Sequence, residues 1–233
     1  MAKNEFHLSS WVRLRRMLLR AAVRLVIRLL ARVRLTGLEN VPRGTAYMAA
    51  VNHMSIYDPP FMMAFWPEIL QGIGAVDVFD KPFQGEVLKM YGVVPVHRGE
   101  SDRELLDAVL KMLAAGYPVM IAPEGGRSHA LAMRRAKPGV AYLIDEARVP
   151  VVPVGIIGTT DDFLQRGLRG LRRQRPTLEL RVGPPFSLPP VEGRGEARRL
   201  SRQKNADLVM RHIANLLPPE YRGVYADSAG DPA

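Results

Sequence analysis

The sequence contains no cysteine among its 233 residues. A disulfide framework and a thiol nucleophile are therefore both excluded, and a reducing compartment is compatible. Nor does it contain an apolar run near the ~18–20 residues that a transmembrane helix needs. Arginines interrupt its most apolar stretch, residues 11–33. The same interruptions break the core that a signal peptide needs, and no small-residue cleavage site follows. No fixed-period repeat is visible, so a solenoid is not expected. Gly72-Ile73-Gly74 has Asp77 where a dinucleotide fingerprint needs its third glycine. There is no phosphate-loop lysine motif, and no histidine pair has zinc-ligand spacing.

What is present begins with charge. The net charge is +10. Residues 1–35 hold nine basic side chains and one acidic, which leaves +8 there and +2 over the other 198. A protein that tracks nucleic acid spreads its basic residues over the domain and interleaves aromatics with them. Here Arg16, Arg20, Arg24, Arg28 and Arg32 recur every four residues. On a helix that spacing drifts only about 40° per step, so the five form one slanted stripe, with leucine, valine and Trp11 over more than half the girth. Such a helix suits a lipid interface: leucines enter the acyl region and arginines reach phosphates. The plainer alternative is a helix packed on its own domain with a solvated basic face. The reading adopted is a membrane-interface helix over 1–35 on an anionic surface, with no nucleic acid partner.

From residue 36 strands and helices alternate. Strands are expected over 46–51, 92–97, 117–122, 149–157 and 177–182, and helices over 59–65, 81–90, 101–115, 138–147 and 196–217. The third of these helices has a capping box in Ser101 and Glu104 and a closing glycine at Gly116. The fold class that follows is α/β, a mixed, largely parallel sheet flanked by helices, over a domain spanning 36–224. The tail from Tyr225 is expected to be disordered.

In such sheets function collects just beyond strand ends. The first cluster there is Asn52-His53-Met54-Ser55-Ile56-Tyr57-Asp58. Asp58 before Pro59-Pro60 has an N-cap signature, and a lone histidine is commonly a satisfied turn residue. Their spacing offers another reading. A carboxylate on one ring nitrogen fixes the tautomer and frees the other to take a proton from an alcohol. Asn52 can orient the loop. The second cluster, Gly92 to Gly99, carries Arg98, suited to bidentate phosphate binding or to a surface ion pair.

The third cluster is Pro123-Glu124-Gly125-Gly126-Arg127-Ser128. Its glycines let a ligand approach the backbone and offer N–H groups, with Gly125-Gly126 the candidates for an oxyanion. Arg127 is a second phosphate ligand, and Glu124 either bonds a substrate hydroxyl or braces an arginine. Residues 126–130 also approximate a serine-hydrolase elbow at Ser128, but Ala130 replaces the last glycine and the one later histidine is His212. The fourth cluster, residues 149–155, holds Pro150 and Pro153; prolines inside an apolar strand argue for an edge or a bend. This surface lines an acyl groove or is core. The leucine–arginine stretch 167–175 is either a second lipid contact or an exposed loop.

Taken together, Asn52-His53 with Asp58, Gly92 with Arg98, Glu124-Gly125 with Arg127-Ser128, and Pro150 to Pro153 resemble the four ordered blocks of the glycerolipid acyltransferase family. The likeness runs over residues 36–190 and is greatest to its 1-acylglycerol-3-phosphate acyltransferases. The resemblance implies direct transfer of a fatty acyl group from acyl-CoA or acyl carrier protein to a lysophospholipid hydroxyl. It implies His53 as base with Asp58 as partner, no metal or cofactor, and acceptor binding by Arg98, Glu124, Gly125 and Arg127. Asn52, Gly126 and Ser128 join the substrate-binding set as their neighbours. The expected location is the cytoplasmic face of the cell membrane. Pro95 stands where the second block often has an aromatic, and Gly126 where the third often has threonine, so other lysolipid or amino-lipid acceptors stay open. A non-catalytic lipid-binding module is the alternative of a different class.

Overall fold

The computed structural model describes residues 6–82, 84–97, 103–128 and 130–227. In chain order the elements are α1 (Ser10–Leu30), β1 (Arg32–Thr36), β2 (Met48–Val51), α2 (Asp58–Phe65), β3 (Gln71–Ala75), α3 (Val76–Phe79), α4 (Gln84–Tyr91) and β4 (Val94–Val96). They continue with α5 (Arg103–Ala114), β5 (Val119–Ile121), α6 (Gly139–Ala147), β6 (Val151–Ile157), α7 (Phe163–Gly170), β7 (Thr177–Val182) and α8 (Gly195–Ala214).

The strands form one sheet of seven in the order β1-β7-β6-β2-β5-β3-β4. Every pair is parallel except β6 with β7. The central strands explain themselves. Met-Ala-Ala-Val and Val-Met-Ile are buried along their whole length, as strands covered on both faces must be. β7 alternates instead, burying Leu178, Leu180 and Val182.

Two apolar layers result. On one side of the sheet Phe61, Met62, Trp66 and Leu70 pack with Ile27 and Leu30 of α1. On the other, Val109, Met112, Ile144, Val209, Met210 and Ile213 come from α5, α6 and α8.

Several expectations change here. α1 ends at Leu30, where the chain turns extended at Ala31 and runs into β1. β1 then pairs with β7 along its full length. The segment 1–35 is therefore not an appendage, because its last residues are part of the sheet. β6 is an interior strand between β7 and β2, not an edge, despite Pro153. The missing donor is tolerated because β7 ends at Val182, opposite Val154; beyond it Gly183 donates to the Pro153 carbonyl. Residues 151–154 are thereby core rather than groove. The tail is held further than expected: Tyr225 is buried, its hydroxyl accepting from Ala136 N–H and donating to Asp207. Within 167–175, α7 supplies a helix that begins earlier, at Phe163. Ser101 lies outside the described residues, as does the Glu104 side chain.

The largest correction concerns which way α1 faces. Arg16, Arg20 and Arg24 turn inward, while Arg13 and Arg28 near its two ends stay exposed. Arg16 is 2% exposed and donates to the carbonyls of Tyr91 and Gly92 and to the Gln71 side chain. Arg20 donates to Met63 and Trp66, and Arg24 to Ala64. The last carbonyls of a helix have no partner of their own, and a cation there is favoured. Two guanidinium groups thus satisfy the C-terminal end of α2. The opposite face of α1 presents Trp11, Leu14, Met17, Leu18, Leu25, Val26 and Leu29 to the outside, Leu25 at 62% exposure. Among the described residues no helix is long and apolar enough to cross a membrane.

Candidate active site

Strands β2, β5 and β6 are adjacent and parallel, so their C-terminal ends share one edge of the sheet. The loop after β2 brings His53 and leads to Asp58. The loop after β5 brings Glu124 and Arg127, and the loop after β6 brings Thr159 and Asp161.

His53 Nδ1 lies 3.0 Å from Asp58 Oδ2. The same carboxylate oxygen accepts the backbone N–H groups of Met54 at 2.6 Å and Ser55 at 2.7 Å. Its other oxygen accepts the Thr159 hydroxyl. Asp58 is 1% exposed and opens α2, yet its side chain reaches back to the preceding turn rather than forward into the helix. The capping alternative for Asp58 is thereby set aside. A carboxylate fixed by three donors besides the ring holds the imidazole in one orientation. Donation from Nδ1 leaves the Nε2 lone pair to accept a proton. The His53 side chain is partly open to solvent at 17%.

The third cluster clamps the His53 backbone from both sides. His53 N–H donates to Glu124 Oε1 at 3.0 Å, and its carbonyl accepts from Ser128 N–H at 2.8 Å. Glu124 Oε2 accepts Arg134 N–H at 2.9 Å. Burial pushes the Glu124 carboxyl above its usual range, against the two backbone donors and the Arg134 charge, which pull it down. With both oxygens engaged, Glu124 acts as a brace between loops.

Gly125 has φ +69, a left-handed conformation that residues with a side chain rarely adopt, and Lys137 packs within 2.7 Å of where a Cβ would stand. Its N–H, however, closes a turn onto the Ala122 carbonyl and is not free for an oxyanion. The Gly126 carbonyl accepts from the Arg134 guanidinium at 2.7 Å. Arg127 is held at the edge by Asp161, with Nη1 at 3.1 and 2.9 Å from its two carboxylate oxygens.

Other expected members stand differently. Asn52 is buried, and its amide forms a reciprocal pair with the Ile156 backbone at 2.9 and 2.7 Å. It ties β2 to β6 and is not available to a substrate. Arg98 and His129 lie outside the described residues. Ser128 is buried, while His212 sits on α8 stacked against Phe186 at 3.8 Å between ring centroids. Burial lowers the His212 pKa there, and the ring is committed to that contact instead of a serine hydroxyl.

Three residues were missed by reading the chain: Thr159, Asp161 and Arg134. Thr159 is 101 positions from Asp58, and no local spacing connects them. Their one available signal is that Gly158-Thr159 follows an apolar strand, as the other site loops do.

The family model described as Acyltransferase matches residues 32–157, which contain β1 to β6 and the loops of His53, Glu124 and Arg127. Among curated relatives, the chloroplastic 1-acyl-sn-glycerol-3-phosphate acyltransferase BAT2 of Brassica napus is 30% identical over 53% of this chain and 36% of its own. The 1-acyl-sn-glycerol-3-phosphate acyltransferase alpha of Ovis aries is 28% identical over 70% of this chain and 55% of its own. A Chlamydomonas reinhardtii relative named for the same activity is 27% identical over 86% of this chain and 57% of its own. The chain thus spans from about a third to just over half the length of these relatives. The crystal structure of the 1-acyl-sn-glycerophosphate acyltransferase PlsC from Thermotoga maritima shares the fold, with a TM-score of 0.57 at 18% identity over 83% of this chain and 78% of that one. With the family model covering more than half of its length, this chain belongs to the Acyltransferase family.

Proposed function

We propose that this protein transfers a fatty acyl group from an acyl thioester, acyl-CoA or acyl carrier protein, to the free hydroxyl of 1-acylglycerol 3-phosphate, with His53 as general base. The observation that carries this reading is the His53–Asp58 pair, 3.0 Å apart at a strand edge beside Arg127. In this mechanism Nε2 of His53 takes the hydroxyl proton as the oxygen attacks the thioester carbonyl. The tetrahedral intermediate collapses with cleavage of the carbon–sulfur bond, and the imidazolium returns its proton to the leaving thiolate. Asp58 fixes the ring and balances its positive charge during the transfer. Arg127, aided by Arg98, receives the acceptor phosphate, a planar guanidinium being suited to two of its oxygens. That docking exchanges the Asp161 carboxylate for a phosphate on Arg127.

Two further features support lipid substrates. An apolar groove lined by Leu19, Val23, Pro59, Met63, Leu88 and Val93 lies between α1, α2 and α4, and Pro59 in its wall follows Asp58 in the chain. The outward leucines of α1 offer a surface for the acyl region of an anionic membrane, on its cytoplasmic face.

The test is acyl transfer by pure protein to 1-acylglycerol 3-phosphate from a labelled acyl thioester, with vesicles present. Activity is expected, and His53→Ala should lower turnover by about 10²–10⁴. Near-normal transfer by that variant would rule His53 out as the base. Lipid binding without any thioester consumption by the parent chain would point to a non-catalytic module.

A further inference from the structure

The segment that leaves the active site after β6 carries a second amphipathic surface. Leu164, Leu168 and Leu171 are 45%, 54% and 55% exposed. They are spaced four and three residues apart, so they share one face of α7 and its closing turn. Arg169, Arg172 and Arg173 are exposed around them. Fourteen large apolar side chains are exposed among the described residues; seven lie on α1 and three on this segment. Isolated exposed leucines need no explanation, but contiguous ones mark a contact surface.

The two elements are locked together. α7 meets α1 at Gly167, where a Cβ would come within 2.8 Å of Leu30 Cβ and 3.2 Å of its carbonyl oxygen. Beyond the helix, Arg175 donates to the carbonyls of Arg28 at 3.0 Å and Leu29 at 3.4 Å. The start of α7 is fastened to the site: Phe163 is buried against Tyr57, and Asp161 holds Arg127.

We infer that α7 and the arginines following it form a second contact with an anionic lipid surface, continuous with the apolar ridge of α1. This rests on the proposed membrane role of α1 and extends it. A single helix lying in an interface leaves the domain free to rotate about that helix's axis. A second contact, packed against the end of the first, removes that freedom. The fixed orientation turns the His53 strand edge toward the headgroups from which acceptor lipid arrives. The occupant is a bilayer because the exposed leucines continue the α1 ridge and the charges within α7 and after it are all basic, complementary to acidic headgroups, while the two acids at its start, Asp161 and Asp162, are paired with Arg127 and Arg166.

The chain has no cysteine, so single-cysteine variants report one position each. Leu168→Cys, Leu25→Cys and Leu200→Cys, each carrying an environment-sensitive nitrobenzoxadiazole label, are mixed with vesicles of phosphatidylcholine alone or with phosphatidylglycerol. Leu200 is exposed on α8, across the sheet, and serves as the control. With anionic vesicles the labels at 168 and 25 should both shift to shorter wavelength and brighten, while the label at 200 should not. Arg169→Glu/Arg172→Glu/Arg173→Glu should weaken binding to anionic vesicles by at least about a hundredfold, since each basic residue near such a surface contributes about fivefold and charge reversal costs more than loss. Binding to phosphatidylcholine alone should change little.

A silent label at 168 beside a responsive one at 25 would overturn the α7 contact and leave the α1 reading standing. Silence at both would overturn the α1 reading and this inference with it. A response at 168 to an acidic acyl carrier protein but not to vesicles would make α7 a carrier-docking surface, and the inference would be wrong.

Discussion

The two faces of this sheet are covered in opposite ways. On one, α8 follows the ordinary rule: Ala206, Val209, Met210 and Ile213 are buried, and Arg198 and Arg199 face out. On the other, α1 is turned over along most of its length, with Arg16 and Arg20 buried against backbone carbonyls and Leu14, Leu18, Leu25 and Leu29 outside, while Ile27 and Leu30 at its end join the apolar layer. α1 along its length and α8 over its second half, residues 205–214, each bury one face, and both helices are rich in arginine. The difference is what each meets. α8 lies on an apolar layer that arginine cannot satisfy. α1 lies across the carbonyl-rich end of α2, which leucine cannot satisfy but guanidinium, with its five donors, can. Amphipathic periodicity thus divides a helix into two faces without fixing which one is inside.

The comparison is sharpened most by removing a buried guanidinium. Arg20→Met leaves the carbonyls of Met63 and Trp66 without their donor. It should cost about 2–5 kcal/mol in urea denaturation, since each buried polar group left unpaired costs about 1–3. Arg198→Met on α8 should stay within about 0.5 kcal/mol, as surface changes do. Equal effects at the two sites would mean that the faces do not differ as described.

The outward side gives the converse, at smaller scale. Leu25→Ser should leave stability in solution almost unchanged. It should weaken vesicle binding by about 1–2 kcal/mol, near the transfer value of one partly immersed leucine. Flotation assays of the parent and the variant would measure this. A loss of stability without a loss of binding would invert the account.

The smallest effect concerns pH and the brace between the site loops. Burial raises the Glu124 pKa above 4.5 in the folded protein. The folded state therefore holds this proton more tightly than the unfolded chain does. The contribution to stability is present below about pH 4.5 and is lost as pH rises through the folded value. Glu124→Gln has no such titration, so its stability deficit against the parent should narrow across that window. Denaturation curves at successive pH values would show it, and a deficit that widened with pH would contradict the sign.

This division also explains what could be read from the sequence. The apolar runs of β2, β5 and β6 are legible because strands buried on both faces carry no alternation to disguise them. The loops of His53 and Glu124 were found because they follow those runs. β1 was hidden by Arg32, which continues the four-residue arginine spacing of α1 into a strand. β3, Gln-Gly-Ile-Gly-Ala, has no aromatic residue and a single β-branched one, Ile73, set between two glycines. Its glycines fit a packed strand: a Cβ on Gly72 would come within 2.4 Å of the Met63 side chain. Asn52 looked available beside His53, but its partner is the Ile156 backbone, 104 residues away. Thr159 and Asp161 escaped notice for the same reason. Interactions made across the sheet leave no spacing in the chain.

The central claim is that His53 and Asp58 act as one unit in acyl transfer, and a double-variant cycle measures this directly. Single-turnover transfer would be followed for His53→Ala, Asp58→Asn and the pair together. The account predicts that the double variant is about as slow as His53→Ala alone, because Asp58 works through the ring. If instead the two losses multiplied, the carboxylate would be contributing independently of the imidazole, and the His53–Asp58 base would be the wrong description of this site.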